Sequence, residues 1–227
     1  MTERDIGILR MTRESTSAVN PKQIVADGYD QIAERYSAWT GTELRGPRAR
    51  YLQILEKHVS AGGSVLELGC ATGVPVTQAL AERYQVTGID ISPRQIEIAK
   101  VNVPTASFNV ADMSKLDLPA SSFDVVVAFY AITHVPRDEH PKLLSKIARW
   151  LRPGGLFVAT LGAGDDPGTI DDDWLGAPMF FSSFNAATSQ RLVTEAGFDI
   201  LSADEITEDE DGVPVTFLWV FARKPIP

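Results

Sequence analysis

A chain of 227 residues, 44% of them apolar and 22% charged, is long enough for one well-buried domain and too short for two ordinary ones with a linker. No apolar run approaches the roughly 20 residues of a membrane helix, and the opening MTERDIGILRMTREST lacks the apolar centre of a secretory signal, so a cytoplasmic protein off the membrane is expected. The net charge of −9, with no basic cluster, argues against a nucleic-acid partner, and the single cysteine, Cys70, excludes an internal disulfide.

Residues 1–20 carry no sustained periodicity and read as a mobile arm ahead of one domain spanning 21–227. Within residues 23–39, Ile24, Val25, Tyr29, Ile32, Ala33 and Tyr36 recur at helical spacing, and a second helical stretch follows the turn GTELRGP through Tyr51, Leu52, Leu55 and His58. Residues 21–60 therefore read as a helical cap. From SVLELG onward, apolar strands alternate with helices, among them PRQIEIAKVN with Ser92 as N-cap and Pro93 at its first position. Such alternation predicts an α/β fold with a parallel sheet covered on both faces. Only the turn-forming TEDEDGVP separates the last two strands, so the final strand is expected to run antiparallel.

Residues 162–184, GAGDDPGTIDDDWLGAPMFFSSF, show no clear periodicity and read as a lid-like loop at the edge where α/β ligands bind. Trp174, Phe180 and Phe181 are its candidate apolar inner face. Its aspartates, Asp171 among them, read as a solvated run rather than metal ligands.

The sharpest chemical signal is VLELGCATG, a strand running into a glycine-containing turn that opens a helix and brings backbone N–H groups to a ligand. A dinucleotide fingerprint would place glycines where Gly69, Ala71 and Val74 stand, so the nicotinamide reading is weakened. Asp90 ends the next strand, where a carboxylate can accept from both ribose hydroxyls. Asp112, in VADM, ends the third.

Together with YDQIAERY, VTGIDISPRQIEIAK, NVADMSKLDLPASSFDVVVAFYAITHV and LRPGGLFVAT, this turn resembles the class I S-adenosylmethionine-dependent methyltransferases, from residue 24 onward. The likeness is to the small-molecule group typified by ubiquinone and menaquinone biosynthesis and by natural-product enzymes. The resemblance implies a Rossmann-like, seven-stranded, mostly parallel sheet with an antiparallel last strand. It further implies that Glu67, Gly69, Cys70 and Gly73 shape the turn around the methionine part of the cofactor, while Asp90 holds the ribose. Ile91 and Met113 would pack on the adenine faces, Asp112 would receive the adenine amine, Phe129 would lie beside the methionine amine and Tyr36 would cover its carboxylate. Ala71 departs from the commoner glycine; an ordinary helical conformation there would cost little.

His134, a few residues after the fourth strand, is the candidate base, and Tyr130 a candidate substrate contact. The metal-dependent branch of the family carries an acid where Phe129 and Tyr130 stand here, so no metal is expected. The expected reaction is displacement of the sulfonium methyl by an oxygen, nitrogen or carbon of a small molecule, secondary metabolites included, leaving S-adenosylhomocysteine. Alternatives are a cofactor-binding enzyme of the same fold catalysing cyclisation or elimination, a non-catalytic partner subunit, and a nicotinamide oxidoreductase. The sequence leaves monomer and homodimer open, and a partner protein too.

Overall fold

The computed structural model describes residues 20–210 and 212–227, so the arm expected over residues 1–20 lies, save Asn20, outside the described residues. Strands buried along nearly their whole length need cover on both faces, and β4 (Phe123–Ala128), with Val125, Val126 and Val127 at 0% exposure, is one of them. It lies at the centre of a sheet in which β1 (Ser64–Leu68), β2 (Gln85–Asp90), β3 (Ser107–Val110), β4 and β5 (Leu151–Gly162) run parallel. The order is β3-β2-β1-β4-β5-β9-β8, with the direction of winding reversing between β1 and β4. That switch point is where open α/β sheets bind ligands.

Alternation along β4 divides the core. Val126 and Ala128 face Ile147, Trp150 and Val193 from α5 (His140–Trp150) and α6 (Ala186–Glu195). Val125 and Val127 face Tyr51, Leu55 and Leu80 from α2 (Gly46–Glu56) and α3 (Val76–Ala81). Helix α4 (Pro93–Asn102) starts as expected, with Ser92 Oγ accepting from Gln95 N and Pro93 at the first position. The last strand, β9 (Val213–Arg223), is antiparallel to both β5 and β8 (Asp199–Glu210), as the short acidic connection requires.

Residues 162–184 depart from the expected irregular loop. They form a hairpin, β6 (Asp166–Trp174) and β7 (Ala177–Ser183), closed by Leu175 and Gly176 at φ of 50° and 89°. The physical reason lies on β7, whose Ala177, Met179 and Phe180 bury against Val25 and Ile32 of α1 (Pro21–Thr40). Helix and strand touch at Gly28, where a Cβ would lie 2.6 Å from the Pro178 carbonyl oxygen. Arg35 adds a hydrogen bond to the Leu175 carbonyl in the hairpin turn. The expected cap thus acquires a partner, and α1 with the hairpin shares an apolar cluster separate from the two cores of the main sheet.

Candidate active site

The turn after β1 is built around Gly69, at φ 74°, where a Cβ would stand 2.3 Å from that of Ala131. Only glycine fits. Ala71 is not helical: at φ 47° it occupies the left-handed region, and its N–H donates to Asp90 Oδ2 at 2.9 Å. Asp90 Oδ1 accepts from Ser92 N at 2.9 Å. Burial pushes the Asp90 carboxyl up to about 6 against the pull of these backbone donors. Behind the turn, Glu67 accepts from Thr77 Oγ1 at 2.6 Å, and its burial raises it to about 8.

The carboxyl ends of β1 to β4 and the inner face of α1 enclose a cavity of about 60 Å³. Gly69, Ala71, Asp90, Ile91, Asp112, Met113, Phe129, Tyr36, Tyr130 and His134, all singled out from the sequence, line it. Three of the expected cofactor contacts do not. Glu67, within β1, turns its carboxyl to Thr77 of α3, Cys70 packs with Ile96 and Phe108, and Gly73 stands against Val103 and Ala99, so these support the turn from the rear. Cys70 is a buried thiol whose ionisation is opposed first by burial and then by Asp90 and Glu67.

A second, open cleft of about 690 Å³ adjoins the first. Its walls come from α1, from the hairpin through Trp174 and Phe181, and from the tip of β8 and β9 through Glu208 and Phe217. Phe180 faces elsewhere: its side chain is buried in the α1–β7 cluster, and its carbonyl is what reaches the site. Tyr29, Tyr36, Tyr130 and His134 line both cavities and so mark their junction.

At that junction His134 Nδ1 lies 2.8 Å from the Phe180 carbonyl oxygen, and Nε2 lies 2.9 Å from the Tyr29 hydroxyl. A carbonyl only accepts, so Nδ1 carries the hydrogen and Nε2 accepts from Tyr29. Burial pulls the imidazole down to about 4, with the Phe180 bond opposing, and keeps it neutral at physiological pH. Aromatic rings surround the pair, Tyr29 standing 5.2 Å from Tyr36, 5.3 Å from His134 and 5.8 Å from Trp174 between ring centroids. Tyr130 holds a left-handed φ of 54°, donates to Glu208 Oε2 at 2.6 Å and carries the Arg48 guanidinium 4.5 Å above its ring. For a bulky residue that conformation is a genuine outlier.

Sequence reasoning passed over Tyr29, Lys22, Arg48 and Glu208. Tyr29 had a signal, since it lies seven residues before Tyr36 on the same helical face. The others had none.

A family model described as a methyltransferase domain matches residues 65–155. Methyltransferase GfsG of Streptomyces halstedii is 30% identical over 216 residues, covering 81% of this chain and 76% of that protein. The chain belongs to the class I S-adenosylmethionine-dependent methyltransferases. An O-methyltransferase of Pyrenophora dematioidea is 32% identical over 169 residues, 69% of this methyltransferase and 62% of its relative. Among solved structures, phosphoethanolamine N-methyltransferase 2 of Haemonchus contortus, in complex with S-adenosylhomocysteine, superposes with a TM-score of 0.70 at 20% identity, over 92% of this chain and 61% of that one. At that identity the likeness is one of fold.

The residues lining the inner cavity match the polar groups of the methyl donor of this methyltransferase. Asp112 Oδ2 is enclosed, and among the described residues the Lys22 ammonium, 3.2 Å away and pairing with it chiefly by charge, is its nearest partner, so acceptor capacity remains. An exocyclic amine would satisfy it. Asp90 accepts from backbone N–H groups of the turn, those of Ala71 and Ser92 among them, and a carboxylate keeps lone-pair capacity beyond these for a hydroxyl. Among the described residues no helix is long and apolar enough to cross a membrane.

Proposed function

We propose that this methyltransferase transfers the donor methyl to a hydroxyl of a small molecule held in the larger cleft. The observation that carries the reading is the neutral Tyr29–His134 pair at the junction of the two cavities. When bound, S-adenosylmethionine supplies an electrophilic methyl on a sulfonium. Asp112 would hold the adenine amine between Ile91 and Met113, and Asp90 the ribose. Gly69, Ala71 and Phe129 would border the methionine part, with Tyr36 over its carboxylate. Glu67, Cys70 and Gly73 would hold the turn from behind.

The Tyr29 hydroxyl would take the acceptor proton while its own proton passes to His134 Nε2, with Nδ1–H retained on the Phe180 carbonyl. A buried imidazolium is costly by itself. The positive charge of the donor is lost in the same step, so the net charge of the pocket is conserved. Positioning would supply most of the acceleration, about 7–11 kcal/mol in favourable systems. Trp174 and Phe181, on the hairpin spanning residues 166–183, would cover the acceptor, and residues 21–227 would act as one domain. An oxygen acceptor agrees with the O-methyltransferase of Pyrenophora dematioidea. A small molecule, rather than nucleic acid, agrees with the net charge of −9 and with the carboxylates of Asp166, Glu208 and Asp209 along the cleft. A cytoplasmic location agrees with the buried free thiol of Cys70.

The test is to profile hydroxyl-bearing acceptors by mass spectrometry and then to compare variants on an acceptor that turns over. A methyl on oxygen, with S-adenosylhomocysteine released, is expected. Tyr29→Phe and His134→Gln should each lower kcat by about 10²–10⁴ while calorimetric affinity for S-adenosylhomocysteine changes little. Methylation only at nitrogen or carbon, or wild-type kcat in both variants, would overturn the reading.

A further inference from the structure

The cap helix begins over the Asp112 end of the inner cavity, and its first turn carries a side chain for which the fold provides unusual company. Lys22 is 12% exposed; its ammonium donates to Ser114 Oγ at 2.5 Å and to Glu139 Oε2 at 2.6 Å, while Asp112 Oδ2 lies 3.2 Å away. Its two shortest contacts go to Ser114 and Glu139, so it meets Asp112 Oδ2 chiefly as a charge. Asp112 Oδ1 is fully used, accepting from Ser114 N at 2.9 Å and from Ser114 Oγ at 2.8 Å. Lys115, on the solvent side, stands 3.7 Å from Oδ2 with 76% of its side chain exposed, and contributes little through water. One oxygen of the carboxylate is thereby fixed and the other keeps acceptor capacity at the cavity wall.

We infer that Lys22 is a positioning residue for adenine recognition: it compensates the paired carboxylates of Asp112 and Glu139, leaves Oδ2 to the exocyclic amine, and ties the first turn of the cap to that contact. The inference rests on the proposed placement of the adenine at Asp112. Two acids converge on one ammonium here, and without it their charges would face each other in a partly enclosed site. Burial alone would push the Asp112 carboxyl up; the Ser114 hydroxyl and amide, with the Lys22 ammonium, hold it below the usual carboxylate range. An ionised acceptor favours an amine at that position and repels a carbonyl oxygen. Lys22 therefore acts on the choice of base as well as on affinity, which a purely structural residue would not do.

Calorimetric titration of the full chain with S-adenosylhomocysteine and with S-inosylhomocysteine, which carries a carbonyl in place of the amine, separates the two effects. The wild type should prefer the adenine compound by at least about tenfold, the range of one charge-assisted hydrogen bond. Lys22→Met should lose most of that ratio by weakening the adenine compound alone, and Lys22→Arg should restore most of it. Glu139→Ala is the second variant, should Lys22→Met fail to fold. It frees the ammonium to turn onto Oδ2, and it too should shrink the ratio. An unchanged ratio in Lys22→Met, or in Glu139→Ala, overturns the inference, as does equal weakening of both compounds. Asp112→Asn separates the two levels: if it leaves the ratio intact, the adenine placement itself fails. If it collapses the ratio while Lys22→Met does not, only the role of Lys22 fails.

Discussion

Ala71 concentrates a cost at the point where the cofactor turn meets Asp90. An L-residue in the left-handed region is disfavoured by about 1–2 kcal/mol, and Ala71 sits there at φ 47° because its N–H must reach Asp90 Oδ2. Glycine would adopt the same backbone freely but would add about 0.4–1 kcal/mol of unfolded-state entropy. The first contribution exceeds the second, so Ala71→Gly is expected to stabilise the protein by about 0.5–1 kcal/mol in urea denaturation. A loss of stability would mean that the methyl packs usefully. Tyr130 carries the same kind of strain at φ 54°, and it is held by Thr160 on its amide and Glu208 on its hydroxyl. Both strained residues border the inner cavity, where such conformations tend to collect.

Helix α1 and the β6–β7 hairpin behave as one element because neither can bury its apolar face alone. Their contact depends on Gly28, where an added Cβ would stand 2.6 Å from the Pro178 carbonyl oxygen and 2.9 Å from Met179 Cε. In an isolated helix Gly28→Ala would gain about 1 kcal/mol. Here overpacking should outweigh it, for a net destabilisation of about 1–2 kcal/mol. Hydrogen exchange should quicken in both α1 and the hairpin, with the parallel strands unchanged, and kcat should fall because the Phe180 carbonyl that orients His134 is displaced. A more stable variant with unaltered exchange would show the two elements to be independent. The sequence concealed the hairpin for a physical reason: residues 167–173 of β6 are all exposed, so no alternation is written there, and the strand forms on backbone pairing to β7. Leu175 at positive φ, in place of the usual asparagine, hid the turn as well. The buried parallel strands were legible because their apolar runs have no other use.

At the scale of the molecule, the sheet fixes one edge and the chain builds around it. Gly69, Asp90 and Asp112 were legible because each ends a strand, and strand ends in this topology converge at one place. Tyr29 and His134 meet across 105 residues through the packing of α1, and nothing local in the sequence records that. Packing of α3 against the end of β1 encloses Glu67, and this has a consequence for the stability of the whole fold. Burial raises the Glu67 carboxyl from its ordinary 4.5 to about 8, with the Thr77 bond opposing and Asp90 adding to the rise. The unfolded chain therefore releases this proton near pH 4.5 and the folded chain only near pH 8. For a carboxyl raised in this direction, the favourable contribution is complete below pH 4.5 and is lost progressively up to about pH 8. Asp90 acts in the same sense over a lower window, from its ordinary 3.8 to about 6. Glu67→Gln keeps the shape and the acceptor for Thr77 Oγ1 and cannot ionise. Its advantage over the wild type should grow from pH 5 to pH 8 to the order of a few kcal/mol, since each tenfold change in proton affinity between the folded and unfolded chains is worth about 1.4 kcal/mol. Denaturation at the two pH values measures that difference directly. A gap that stays constant from pH 5 to pH 8 would mean that Glu67 titrates normally, and that water reaches the rear of the cofactor turn.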